Sequence, residues 1–182
     1  MSEQRAEQRK RRIQLLGATA VLLTALAVIV HLNLGGAHRD TGRTGQPVIP
    51  DFATIRADAA EIRVTLADES YRLVNSVNGW TMDGTHGYPI RADRLAELAT
   101  GLADLTWGEG RTRDPGKLNR LGLGDPRDGG TGALIEIADE DGKVTASIIT
   151  GRKDDNLYAR RPGETQAYQA NGDLPPLYNQ DA

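Results

Sequence analysis

Two kinds of hydrophobic pattern divide the chain. Residues 13–34 form a continuous apolar run, broken by Gln14, His31, Asn33 and small or hydroxyl residues, whereas from residue 61 onward apolar positions recur at every second residue or at helical spacing. A helix rises about 1.5 Å per residue and the hydrocarbon core of a bilayer is roughly 30 Å thick, so the run predicts one transmembrane helix. Arg5, Arg9, Lys10, Arg11 and Arg12 precede it, against Arg39 and Arg43 in the stretch that follows. The positive-inside rule then leaves the N-terminus in the cytoplasm and sends the rest outward. Leu34, Gly35, Gly36 and Ala37 offer small residues for a signal-peptide cleavage site, but the apolar region of such a peptide is ordinarily about 7–15 residues, which favours an uncleaved signal anchor. The expected layout is a basic tail over residues 1–12, the anchor over 13–34, a solvated linker over 35–50, one extracytoplasmic domain over 51–178, and a short tail over 179–182.

Within the outer part, residues 61–66 alternate with Ile62, Val64 and Leu66 on one face and Arg63 and Thr65 on the other, the pattern of a half-buried strand. Residues 71–75 alternate again, and Asn78-Gly79 turns the chain into a third strand at Trp80-Thr81-Met82. Asp93 is placed to cap a helix whose Leu95, Leu98, Leu102 and Leu105 share a face. Residues 108–116 read as a polar loop, and Gly122, Gly124 and Pro126 exclude a regular element where they stand. Strand patterns resume over 133–138 and 144–150 around the turn residues 139–142, then over 157–161 and 165–170 around Pro162-Gly163-Glu164. Three strands, a helix and four strands joined by hairpins predict an α+β domain, with a largely antiparallel sheet and one main covering helix, preceded by the single N-terminal transmembrane helix.

Composition narrows the chemistry. The net charge is −3 with a basic N-terminus, so the outer domain is acidic and a poor match for nucleic acid. Cysteine is absent, which excludes disulfides, thiolate metal sites and a lipidated cysteine. Ser70, Ser76 and Ser147 stand in no nucleophile-elbow sequence, and His86 with Asp83 reads as an exposed loop before it reads as a dyad or half a metal site. Asp139-Glu140-Asp141-Gly142 lacks the ligand spacing of a calcium loop and suits a hairpin turn. Gly122, Gly124, Gly129, Gly130 and Gly132 lack the Gly-Lys-Ser/Thr ending of a phosphate cradle. Mutual repulsion of Asp154 and Asp155 would raise one pKa of the pair if the site were buried, of which the sequence gives no sign. Trp80 suits a core strand, Trp107 suits a core or a contact surface equally, and Tyr158 and Tyr168 suit a cross-strand pair. No catalytic residue, metal ligand or cofactor is expected. In the anchor, His31 lies near the outer end, and Gly17, Ala18, Ala20, Ala25 and Ala27 would permit helix pairing and oligomerisation.

Ile62 and Val64, Gly79-Trp80, Tyr88-Pro89-Ile90 before a Leu-rich helix, Leu121-Gly122-Leu123 with Asp125-Pro126, Thr150-Gly151 and Tyr158-Ala159-Arg160 follow one another in an order that resembles the bacterial DUF4340 domain family. The resemblance spans roughly residues 55–172. It implies membrane-anchored proteins of unknown function, often associated with gliding-motility-type ABC transporter components, and supplies no catalytic residue. The expectation is therefore an accessory or scaffold subunit in a bacterial inner membrane that binds protein without turnover, with ABC transporter subunits as the partners the resemblance implies. An exposed sheet edge and Trp107, Glu109, Arg111 and Arg113 are its candidate contacts. The alternative is an extracytoplasmic module for glycan or a small ligand.

Overall fold

Ile62 and Val64 sit on one side of a strand because alternate side chains point to opposite faces, and the sheet they belong to is the frame of the described residues. The computed structural model describes residues 42–84 and 89–177. The predicted anchor, its basic flank Arg9, Lys10, Arg11 and Arg12, and His31, His38, His86 and Tyr88 lie outside those residues. In chain order the elements are α1 (Phe52–Ala57), β1 (Glu61–Thr65), β2 (Ser70–Ser76), β3 (Gly79–Met82), α2 (Ala92–Asp104), β4 (Thr106–Thr112) and the single turn α3 (Pro115–Leu118). Two 3₁₀ turns follow (Asn119–Leu121 and Pro126–Asp128), then β5 (Ala133–Ala138), β6 (Val144–Lys153), β7 (Asn156–Arg160) and β8 (Ala167–Asn171). The eight strands form one antiparallel sheet in the order β3-β2-β1-β5-β6-β7-β8-β4. The α+β class and the antiparallel sheet are as the sequence predicts. Among the described residues no helix is long and apolar enough to cross a membrane.

The sheet has two apolar faces near its middle. Ile62 stands beside Leu73 and Ile137, and Val64 beside Ile135. With Ile148, Ala159 and Tyr168 they make the main core, which α2 covers through Leu98 and Leu102, ending in the buried Leu105. Leu134, Ile149, Tyr158 and Ala167 point the other way and pack with Leu118 and Leu123 of the segment that links β4 to β5. The inner parts of β5 to β8 are thus buried on both sides, while β1, β2 and β5 turn Arg63, Arg72 and Glu136 toward solvent.

Several expectations are corrected. The polar loop over 108–116 begins as a strand: β4 pairs antiparallel with β8, with Trp107 opposite Ala170 and Gly110 opposite Tyr168. Gly108 is required there, because a Cβ would stand 2.7 Å from the Gln169 carbonyl oxygen. Part of the solvated linker is structure. Gly45 N–H donates to the Trp107 carbonyl at 2.7 Å, Trp107 N–H to Gln46 at 2.9 Å and Val48 N–H to Leu105 at 2.8 Å, and Val48 and Ile49 are buried. These bonds cover the outer side of β4, an arrangement that shields an edge strand from stray pairing. At the other edge Pro89 bridges Thr81, and Ile90 N–H donates to the Trp80 carbonyl at 3.0 Å. The sheet edge expected as a contact surface is therefore occupied along these residues by the chain itself. Tyr158 and Tyr168 are not a pair: Tyr158 faces Gln169 in register and Tyr168 faces Ala159, which puts the two rings on opposite sides of the sheet. Asp93 is in the first turn of α2, held by Arg91 (Nε to Oδ1, 3.2 Å), and Arg91 occupies the cap position.

The turns behave as their chemistry dictates. Asp139 Oδ1 accepts from the Lys143 N–H at 2.9 Å, closing the β5–β6 hairpin. Asp154 and Asp155 take φ of 49° and 60°, the left-handed pair of a tight two-residue turn, and are exposed. Gly101 lets the C-terminal segment cross α2, since a Cβ would lie 2.5 Å from the Asp173 carbonyl oxygen. That segment buries Leu174, and the Leu177 carbonyl accepts from the Tyr71 hydroxyl at 2.7 Å.

Two consequences are measurable. At Gly151 a Cβ would meet the Gly122 carbonyl oxygen at 2.1 Å. Gly151→Ala is expected to cost about 2–3 kcal/mol by urea unfolding, as overpacking against backbone does, while Val77→Ala at the exposed β2–β3 hairpin tip stays within about 0.5 kcal/mol. Burial, with Glu69 nearby, pushes the Tyr71 hydroxyl up to about 12. The folded form holds that proton more tightly than the unfolded chain, so stability contributed by the neutral phenol is intact below pH 10 and falls as pH rises from about 10 to 12. Unfolding midpoints measured on either side of that window should drop less in Tyr71→Phe than in the unaltered chain.

Candidate functional site

Three places concentrate side chains that could meet a partner. The first is β4. Its residues alternate small and buried with charged and exposed: Gly108 and Gly110 face in, Glu109 and Arg111 face out, and Arg113 follows at the strand end. The outward groups are steadied from β8 and the segment before it. Arg111 donates to the Gln169 side chain, Arg113 donates to the Gln166 side chain, and Glu109 lies 3.6 Å from Arg111. Gln166 is itself buried and donates to the Ala167 carbonyl at 2.9 Å. Trp107, expected as a possible contact, is 1% exposed, its ring centroid 4.9 Å from that of Tyr168. It is a core residue, because pairing of β4 with β8 points it into the main core and not outward. Arg43 lies over the same Tyr168 ring and pairs with Glu164 at 2.7 Å, which fastens residues 42–48 to the β7–β8 turn.

The second place is the solvent-facing side of β2, β1 and β5. Charges alternate in sign across it: Asp83 with Arg72, Arg72 with Glu61, Glu61 with Arg63 at 2.5 Å and Arg63 with Glu136 at 3.7 Å. Arg127 extends the ladder to Asp125 at 2.7 Å. The hydrogen bond from Arg72 holds the Asp83 carboxyl below its ordinary range, and the bond from Arg127 does the same for Asp125. The charges of opposite sign are interleaved, so the surface has no large single-sign field with which to steer a charged ligand. It also gives Asp83 a partner other than a histidine.

The third place is an apolar cleft of about 370 Å³ between α1 and α2, open to solvent. Ile62 of β1, Ile137 of β5 and Leu102 of α2 are buried and line its inner part, with Phe52 of α1 at one side and the half-buried Trp80 and Leu95 at the other. Its space comes from composition. Ala92, Ala96 and Ala99 recur at helical spacing on α2 beside the leucine stripe, and a methyl side chain leaves room where a larger one would fill it. The exposed Arg56 of α1 is the one charged group in this lining among the described residues.

The family model for DUF4340, a domain of unknown function, matches residues 80–181, more than half of the chain. The chain belongs to this family. No curated protein and no solved structure is significantly similar to it. The matched stretch starts later than the span quoted for the resemblance, at Trp80, so β1 and β2 complete the DUF4340 sheet from outside the match. Among the described residues no group of three His, Asp or Glu is placed to hold a metal ion. The sequence missed the cleft entirely, because it depends on α1 lying beside α2. It missed β4 because glycine is a weak strand former. The period-two sequence Gly108, Glu109, Gly110, Arg111, Thr112, Arg113 was the signal that could have found it.

The corrected role of Trp107 in the DUF4340 sheet has a direct check. Trp107→Ala is expected to cost about 3–5 kcal/mol in urea unfolding, the range for a buried aromatic, whereas Arg111→Ala and Arg113→Ala should each remain within about 1 kcal/mol.

Proposed function

We propose that this DUF4340 protein is a single-pass, membrane-anchored accessory or scaffold subunit of a bacterial envelope complex, acting by protein binding, with an ABC-type transporter as the complex it serves. Its N-terminus would lie in the cytoplasm and the sheet domain on the outer side of the inner membrane, carried by residues 13–34. The apolar run and the basic residues before it support the anchoring. The supporting structural observation is the outward row on β4: Glu109, Arg111 and Arg113 are exposed, and glutamines from β8 and the segment before it hold the two guanidiniums in place. Side chains fixed before binding lose less freedom on association, which favours a specific contact over a merely solvated surface. Where residues 42–48 and Pro89 with Ile90 cover the sheet edges, strand addition is disfavoured, which supports recognition through these side chains. Pairing of the anchors through Gly17 and the alanines near it would be a second contact of the same kind.

A second reading, a small-ligand module, is favoured by the cleft between α1 and α2. Its apolar lining suits a hydrocarbon ligand better than a glycan, which would bring many hydroxyl groups in need of partners.

In-cell crosslinking followed by gentle solubilisation, capture of the full-length protein and mass spectrometry tests the scaffold reading against a control that carries residues 1–50 alone. Transporter subunits are expected to be enriched, and the double reversal Arg111→Glu with Arg113→Glu to reduce that enrichment at least fivefold without lowering the unfolding midpoint. Recovery of the unaltered protein by itself would overturn the assignment.

A further inference from the structure

We propose that the cleft between α1 and α2 is a binding site for a single-chain anionic amphiphile, a medium-chain fatty acid, with the hydrocarbon among Ile62, Trp80, Leu95 and Ile137 and the carboxylate at Arg56. The proposal rests on the small-ligand reading above and gives it a substrate class. Three observations converge on it. The volume of about 370 Å³ falls within the range of small-molecule sites. Among the described residues the lining is apolar except for Arg56 and the Trp80 indole N–H, so an occupant with a peptide backbone would bury donors and acceptors without partners, whereas a hydrocarbon chain has none to lose. Arg56 itself makes no ion pair among the described residues, although most arginines of the domain do: Arg63, Arg72, Arg91, Arg94, Arg111, Arg127 and Arg152 each meet a carboxylate. A cation without an ion pair beside an apolar recess offers an anchor for the head of a ligand whose tail the recess would take. The lining on α2 runs from Ala92 to Leu102, about 15 Å of helix, which matches a medium chain better than a long one.

The alanines are the determinant of capacity. Ala96 is exposed at the rim, and a phenyl ring there would occupy the recess without disturbing the buried leucines of α2. Trp80 is the natural reporter. The chain has two tryptophans, and Trp107 lies on β4 at the opposite end of the strand order from the β3 that carries Trp80.

The test uses the full-length protein in phosphatidylcholine nanodiscs, titrated with bromine-tagged dodecanoate while tryptophan emission is followed. Saturable quenching is expected, and Trp80→Phe, which leaves Trp107 as the emitter, should abolish it. Across saturated acids competing with the probe, affinity should rise about fourfold per methylene until the recess is full and then level off. Ala96→Phe should weaken binding at least tenfold, and Ala92→Leu serves the same purpose if circular dichroism shows that Ala96→Phe has not folded. Because Arg56 is exposed, Arg56→Gln should weaken dodecanoate about threefold to fivefold and leave dodecanol unchanged. Quenching that does not saturate, or that is equal in the filled-cleft variants, reports partition into the disc and overturns the proposal. Dodecanol binding as tightly as dodecanoate to the unaltered protein would overturn the fatty-acid assignment while the small-ligand reading stands. Absence of binding by either compound would remove both.

Discussion

Arg160 is the residue on which the second face of the sheet depends. It lies on β7, 5% exposed, and no carboxylate meets it among the described residues. Instead its guanidinium donates to backbone: Nε to the Leu123 carbonyl at 2.6 Å and Nη1 to the Glu164 carbonyl at 3.1 Å. Burial lowers its pKa from the ordinary arginine value, the sign expected when water is removed from a cation. A buried charge of this kind is stable only when its donors are satisfied, and here the acceptors are carbonyls of irregular chain that would otherwise lack partners themselves. One side chain thereby ties the segment before β5 to the β7–β8 turn.

That tie is needed because the central strands carry apolar side chains on both faces, and a helix covers one face alone. The other cover has no helix longer than a turn and owes its closeness to glycine. Gly130 could not bear a Cβ, which would fall 2.2 Å from the Gly124 carbonyl carbon, and Gly132 would place one 2.5 Å from the Gly124 carbonyl oxygen. Backbone so near to backbone brings Leu118 and Leu123 down onto Leu134, Ile149 and Tyr158. Its polar groups are met locally, with Leu123 N–H on Leu118 at 2.9 Å and Gly130 N–H on Asp125 at 2.8 Å. The glycines that resemble a phosphate cradle in the sequence are therefore used for packing.

The two ends of the sheet contrast with its middle. At β4 the chain is fastened by residues 42–48, by Trp107 on Tyr168 and by the Arg43–Glu164 pair, and it presents a small row of steadied charges. Toward β3 the cover is thinner: α1 has six residues, and the alanines of α2 leave a recess above Ile62 and Ile137. Tight packing excludes ligands, and room near an apolar floor admits them, so the small-ligand capacity proposed for this domain belongs to the end that is less completely filled.

By itself the sequence determined what depends on near neighbours in the chain. Period-two alternation specified β1, β2 and the hairpins of the second half, leucine spacing specified α2, and Asp139 to Gly142 specified a turn, because side-chain direction and turn preference are local properties. The family order along the chain was legible for the same reason. Tertiary structure decided what depends on distant partners. Only pairing with β8 makes a strand of the glycine-bearing stretch after Trp107, and only that pairing sends Trp107 inward and leaves Glu109 and Arg111 outside. Only register separates Tyr158 from Tyr168, only the approach of residues 42–48 to β4 turns expected linker into edge cover, and only the placement of α1 beside α2 opens the cleft with Arg56 in its lining. Local chemistry sets the element, but which of its faces meets water is fixed by what the rest of the chain brings against it.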